Sequence, residues 1–403
     1  MKAIHWMLTH PWRVIGTVAV VLGLYSTFVR YTQGLGAATH LSDDFPWGLW
    51  IGVDVMCGVM LAAGGFTISA LVYIFRVERW QPIARPAVLT AFIGYVLVGG
   101  GIFLDIGHSL RIWHPLVMWN HHSVMWEVAW CVTLYTTVLA MEFLTFVFEK
   151  LERERLAKIF HHLTFPLTLA AVLLSMLHQS SLGSLFLLVP ERLHPLWYTQ
   201  LLPFLFFVSA IAVGLTMTIV ESTLSARAFG RCIEGPLLQS VGKAAAWVMG
   251  FYLALRLGDI VSRGAYVELW PLDRAAVFFL AEIVVGVVIP LIVFAYPSLR
   301  RNTRYLYHAA QLTVLGFVIH RLNVGITGFE LVKGKIYSPS WMEVSVTLML
   351  VTIGVTGFNL ASRWLPIFET GAEDSERVQT WSNWVRHITG IHTPVAGEGS
   401  GGG

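Results

Sequence analysis

Residues 86–105 read PAVLTAFIGYVLVGGGIFLD, and no side chain from Pro86 to Leu104 carries a charge. An apolar run of about 18 residues or more is long enough to cross a bilayer as a helix. The stretch predicts a spanning helix with Tyr95 near its middle and Asp105 near its end. Runs of the same kind recur on both sides of it. About ten spans can be drawn, at roughly 13–30, 48–75, 86–108, 123–149, 159–180, 199–224, 240–262, 274–297, 304–322 and 341–366. The 403-residue chain is 56% hydrophobic and 13% charged, where soluble domains run nearer 45–50% and about 25%. The expected fold is an all-α integral membrane protein in a lipid bilayer.

Composition also excludes several functions. Net charge is only +3, with Lys and Arg spread among the loops, which is not the clustered basic footprint of a nucleic-acid binder. Cys57, Cys131 and Cys232 form no Cys-x-x-Cys pair, so no disulfide framework, zinc knuckle or iron–sulfur motif is expected in this chain. No metal ligands are assigned. No P-loop, Gly-x-Ser-x-Gly or dinucleotide fingerprint stands in a suitable context. Gly64–Gly65 and Gly99–Gly101 fall inside spans, where small residues let helices approach. The first span is too long for a signal-peptide core and reads as an uncleaved anchor. The tail 397–403, GEGSGGG, reads as a linker remnant, leaving 1–396 as one polytopic membrane domain.

Roughly two-thirds of the 27 Lys and Arg fall on the side holding both termini and the turns near 80, 155, 230 and 301. By the positive-inside rule both termini are cytoplasmic, and the loops around 31–47, 109–122, 181–198, 263–273 and 323–340 face outward. A weak repeat accompanies this topology. Asp105, Glu127 and His178 recur as Asp259, Glu282 and His320 at similar spacing, and Pro46 recurs as Pro203. The recurrence reads as two parallel four-helix bundles, about 48–180 and 199–322, flanked by helices 13–30 and 341–366, an architecture membrane proteins use. Chance matching on a drawn grid is the alternative.

Ionisable groups inside a bilayer are costly and default to functional readings. Asp54 lies two turns into the second span, Tyr95 in the third, and Glu127 and Glu142 in the fourth. The last two are separated by roughly 22 Å along a helix and by about 60° around it. Thr145 and Tyr135 share that side, interrupted by Leu134 and Val138, and Glu221 in the sixth span extends the row inward. Such a row suits a proton relay with water in its gaps. The alternative is that these acids pair with Arg or Ser/Thr and lock helices together. A second group lies outward: His108, Arg111, His114, His121 and His122 around one turn, with His178, Arg256, Asp259, His320 and Arg321 at span ends. A quinone needs donors for two carbonyls, a proton source and apolar walls, and these residue types supply the polar part. His178 alone also reads as a hydrogen-bonded structural histidine. Haem is the rival use, with His178 and His320 as an axial pair; no second pair stands in mid-membrane.

At these residues the chain resembles a known family. DFPWGLWIGVD, Asp44 to Asp54, looks like the start of the second helix in the NrfD/PsrC superfamily of quinone-reactive respiratory membrane subunits. MLHQSSLGSL, Met176 to Leu185, with His194-Pro-Leu-Trp197, looks like the membrane subunit of Hyb-type [NiFe] hydrogenases. Phe92–Tyr95, Ser123–Glu127, Ala140–Phe143 and Leu255–Gly258 also match. The resemblance spans about residues 40–365. It implies two four-helix bundles, ten helices in the Hyb branch, menaquinone as cofactor and no haem. It implies a periplasmic ferredoxin-like iron–sulfur subunit, with the hydrogenase small and large subunits and their NiFe centre beyond it, in the bacterial inner membrane. The family's quinone and proton residues carry over to Asp54, Tyr95, Glu127 and His178, with Glu142 and Glu221 toward the cytoplasm. Catalytic roles would fall to Glu127, Tyr95 and Asp54, and quinone binding to these with His178 and Arg256. Coupled proton translocation is a further implication. His121-His122 before Ser123, and Asp259, depart from the Hyb pattern of asparagine and glutamate. The same membrane role in a polysulfide, tetrathionate or nitrite reductase is the alternative within the family, and a proton-coupled transporter on parallel repeats the alternative outside it.

Overall fold

A computed structural model describes residues 11–231, 235–270 and 272–368. Cys232, the tail 397–403 and the ends of the chain lie outside them. Ten helices among the described residues are long and apolar enough to cross a membrane. They are α1 Pro11–Gln33, α2 Trp50–Ile74, α3 Gln81–Asp105, α4 Val124–Lys150 and α5 Glu154–Leu185. There follow α6 Leu202–Phe229, α7 Gly235–Ser262, α8 Arg274–Ala295, α9 Thr303–Lys333 and α10 Trp341–Trp364. No strand occurs among the described residues. The protein is an all-α, multi-pass membrane protein. Turns near residues 76, 152, 231 and 300 mark its proximal end; the loops 34–49, 106–123, 186–201, 263–273 and 334–340 mark its distal end.

Local chemistry sets the helix starts. The Ser123 side chain accepts from Trp126 N at the start of α4, and Asp273 accepts from Ala276 N at the start of α8. Ser340 and Glu343 form a reciprocal capping box at the start of α10, satisfying amides that have no intrahelical partner. Contacts run round two rings: α2, α3, α4 and α5 close on one another, as do α6, α7, α8 and α9, and the rings meet where α6 packs on α2 and α5. α1 and α10 pair with each other, and α10 also lies on α3. Glycines permit the closest crossings. A Cβ on Gly286 would stand 2.5 Å from Gly316 Cα, and one on Gly214 would stand 2.8 Å from the Ala63 backbone.

Three spans are not regular α-helices. π-helical turns occupy Trp50–Cys57 and Ala70–Ile74 in α2, Val284–Val288 in α8 and Asn323–Thr327 in α9. The last carries α9 through to Lys333, beyond the residue-322 end drawn from the sequence, into a stretch expected to be loop. α5 likewise starts at Glu154 and ends at Leu185, outside the expected 159–180. The apolar run marks what hydrocarbon covers, whereas Glu, Arg and Lys continue a helix beyond it.

Candidate functional site

The sequence-predicted residues separate into three neighbourhoods. In the first ring, Tyr95 of α3 meets the Tyr135 ring of α4 edge-on at 4.5 Å and the His178 ring of α5 at 5.8 Å. Ser175 stands one turn from His178 on the same face of α5 and borders both tyrosines. All four side chains are buried. Yet Tyr95 Oη, Tyr135 Oη, Ser175 Oγ and both ring nitrogens of His178 have no hydrogen-bond partner in the structure. Buried polar groups are nearly always paired, and each orphan costs roughly 1–3 kcal/mol. Four neighbouring side chains left this way mark a place that expects a polar guest or water. Below them, Glu142 of α4 is buried and accepts from Thr168 Oγ1 of α5 at 3.3 Å.

Asp54 and Glu127 are not part of that centre. Asp54 sits in the first π turn of α2 and turns toward α10, where Thr347 Oγ1 donates to it at 2.9 Å. Asp105 of α3 is its nearby charged neighbour, and Glu343 and Arg30 border Asp105 in turn. Gly101 makes room, since its Cβ would stand 3.1 Å from Asp54 Cβ. Glu127 lies in the first turn of α4, half-buried at the distal end. Leu134, expected on the inward side with Glu142, is 41% exposed. Tyr135, Glu142 and Thr145 are buried, while Glu127 is half-buried and Leu134 exposed; Thr145 lies in line with Glu127 on the helix, so position along α4 and not angle alone separates them.

The third neighbourhood corrects the grouping of Arg256 with His178. α7 packs on α6, α8 and α9 and makes no substantial contact with α3, α4 or α5. Arg256 is fully buried there. Its Nη2 donates to the Leu196 carbonyl at 2.9 Å and lies 3.9 Å from Glu282 Oε1. Glu282 also accepts from Trp197 Nε1 at 3.1 Å and Asn323 Nδ2 at 2.8 Å, and His320 Nδ1 lies 3.2 Å away. Asp259 accepts from Thr199 Oγ1 at 2.6 Å and from Arg263 at 2.8 Å. Arg321 donates to the Phe206 carbonyl and Ser209, both at 3.0 Å.

Other expected site residues sit elsewhere. Glu221 of α6 lies in the proximal half, with Oε1 unpartnered. His108, Arg111, His121 and His122 are exposed in the distal loop, where the His121 ring packs on Trp119 and Trp126. Outside the membrane, the Lys335 hydrogen bond and charge hold the Asp44 carboxyl below its ordinary range, with Lys333 assisting at 3.5 Å. This pair straps loop 34–49 to the end of α9. Sequence reasoning missed Ser175, Asn323, Thr347 and the π turns. Ser175 was findable, because positions three apart share a helix face with His178. A π turn has no composition signature, and such turns cluster at functional positions.

Comparison with known proteins adds to this geometry. The family described as polysulphide reductase, NrfD, matches residues 38–333. A Nitratidesulfovibrio vulgaris protein is 36% identical over 370 residues, covering 89% of this chain and 95% of its own. The "Probable Ni/Fe-hydrogenase 2 b-type cytochrome subunit" of Escherichia coli K12 is 30% identical over 372 residues, 90% of this chain and 93% of its own. The "Menaquinone reductase, integral membrane subunit" of N. vulgaris is 29% identical over 385 residues, 87% and 90%.

Proposed function

The chain belongs to the polysulphide reductase NrfD family, and on that premise we propose that it is the quinone-reactive membrane subunit of a periplasm-facing [NiFe] hydrogenase in the bacterial inner membrane. The observation that carries this is the orphaned donor set of Tyr95, Tyr135, Ser175 and His178. Menaquinone fits it, because a quinone offers two carbonyl oxygens and these side chains offer hydroxyls and a ring N–H. When bound, the quinone accepts two electrons and two protons. Tyr95 and Tyr135 orient it and donate hydrogen bonds, His178 holds a proton at a ring nitrogen, and Ser175 stands beside both tyrosines as a further hydroxyl. Glu142, with Thr168, holds the next proton inward. Glu127 and Asp54 sit distally, where they exchange protons with the loops. Glu221 lies on the proximal side of the same row.

The distal end is read as periplasmic, and both termini as cytoplasmic, from the Lys/Arg bias of the turns. A ferredoxin-like iron–sulfur subunit would dock there, with the hydrogenase small and large subunits and their NiFe centre outside it. Haem fits less well. Bis-histidine ligation needs two imidazoles on facing helices. The buried histidines among the described residues are His178 and His320, and α5 and α9 do not pack on each other. Arg256, 3.9 Å from both Glu282 and Asp259, supplies the second ring with a buried cation. The menaquinone reductase relative favours a second reading, the same quinone role beside a different catalytic subunit.

Two measurements test the proposal. Subunits co-purified in mild detergent identify the partner; a set without hydrogenase subunits selects the second reading. In the assembled complex, Tyr95→Phe combined with Tyr135→Phe should lower quinone-linked hydrogen uptake about 100-fold or more, while dye-linked uptake survives. Unchanged quinone reduction would sink the site assignment.

A further inference from the structure

α6 and α10 both pack against α3 but scarcely touch each other. The cleft left between them has a volume of about 360 Å³. Its walls are almost wholly apolar, with Leu97, Met217, Val355 and Phe358 among them. Leu224 and Val355 are exposed at its rim, so it opens sideways within the spans, toward lipid. Two polar atoms interrupt the apolar floor, Thr90 Oγ1 of α3 and Glu221 Oε1 of α6. Both are sealed from solvent; they face each other across the α3–α6 contact without a well-formed hydrogen bond at either atom. An apolar cleft ending at an unpaired acceptor suits an amphiphile with a chain and a donor head.

Depth selects among amphiphiles. Glu221 lies eight residues before the end of α6 at Phe229, or about 12 Å along the axis. A bilayer's polar layer takes up only some 5–7 Å on each side. Taking the end of α6 as the outer edge of that layer puts the carboxyl roughly 5 Å inside the hydrocarbon, too deep for a charged phospholipid head but accessible to a neutral hydroxylated ring. Glu221 also borders a second cavity of about 90 Å³ at the proximal end, lined by Ser222, Arg231 and Phe368, with room for water. One carboxyl is therefore shared between a lipid-side cleft and a proximal opening.

We propose that this cleft is a second quinol site, separate from the Tyr95–His178 centre, in which the tail lies along the α6–α10 walls and a ring hydroxyl donates to Glu221. The proposal rests on the quinone reading above for the identity of the pool. Glu221 then accepts the hydroxyl hydrogen bond on one side and meets proximal water on the other, and the ring keeps both of its protons at this site.

The test uses the assembled complex in nanodiscs, a photoactivatable azido-naphthoquinol with a short isoprenoid tail, and peptide mapping of the adducts. Adducts are expected in 217–229 and 351–359. Val355→Trp, which fills the cleft from its lipid rim, should reduce them about tenfold, and Glu221→Leu by a similar factor through loss of one hydrogen bond to a carboxyl. Glu221→Gln, which keeps an acceptor, should reduce them less. Tyr95→Phe should leave them in place. Adducts confined to α3, α4 and α5 near Tyr95 would overturn the second site and leave the first reading standing. Adducts at neither place overturn both. Equal labelling of the cleft by a photoactivatable phospholipid, or cross-links from it to residues 369–403, assigns it to lipid or to this chain's own tail and overturns the quinol.

Discussion

Two helix rings carry similar residue types and treat them differently. Tyr95, Glu127 and His178 of the first ring recur as Tyr252, Glu282 and His320 of the second. In the first, the hydroxyls and imidazole touch one another's rings but share no hydrogen bonds. In the second, Glu282 is held by Trp197, Asn323, His320 and Arg256. A polar residue in a bilayer is thus not a site by itself. The two rings differ in their carboxylate and not in completeness: Glu282 is held from several sides, while Arg256 Nε and Nη1, His320 Nε2 and Arg321 Nη1 beside it also lack a hydrogen-bond partner.

Breaking the network around Glu282 should have the largest effect. Arg256→Met leaves Glu282 and Asp259 short of their shared cation. Removing one partner from a buried ion network costs about 3–5 kcal/mol, so folded yield in fluorescence-detected size exclusion should collapse. A well-folded Arg256→Met complex would break the comparison. Glu127→Gln, at the half-buried distal end of the open ring, should leave that yield unchanged. Quinone-linked turnover should instead fall about tenfold or more, as for loss of a proton-transfer group, with dye-linked activity retained. If Glu127→Gln lowers yield as Arg256→Met does, the two rings are structurally alike after all. Thr168→Val removes the one hydrogen bond that Glu142 accepts and should cost about 1 kcal/mol, read as a small downward shift in unfolding temperature.

The smallest effect lies outside both rings. The Asp44 carboxyl is held below its ordinary value of 3.8 by Lys335 and Lys333. A carboxyl depressed in the folded state contributes stability that is fully present above its ordinary value. That contribution fades as pH falls through the lower folded value. Proteolysis of loop 34–49 should therefore quicken in the wild type as pH drops below 3.8. In Asp44→Asn the loop should be cut faster at neutral pH already, and the difference between the two proteins should shrink in acid. A difference that grows in acid would show that the strap does not hold the loop.

Much of the site was legible before any coordinates. Tyr95, His178 and Glu142 stood out because each is a polar residue in an apolar run, where chance placement is expensive. Their union with Tyr135 and Ser175 was less legible, because it depends on how α3, α4 and α5 rotate against one another. Arg256 was placed in the second bundle by the sequence, and the structure puts it among Leu196, Asp259 and Glu282 and not beside Tyr95 and Tyr135. Asp54 fell outside the expected pocket because the π turn at Trp50–Cys57 re-aims it toward Thr347.

Sequence alone determined that the chain has about ten helices long and apolar enough to cross a membrane and, to within several residues, where most of the turns fall. Those properties follow from hydropathy, which acts on each residue independently of its distant neighbours. Only the tertiary structure decided which buried groups are paired and which are left open. Pairing depends on helix rotation and on single-residue π insertions, and a lipid-facing helix that is apolar on every side carries almost no periodic signal to fix its rotation.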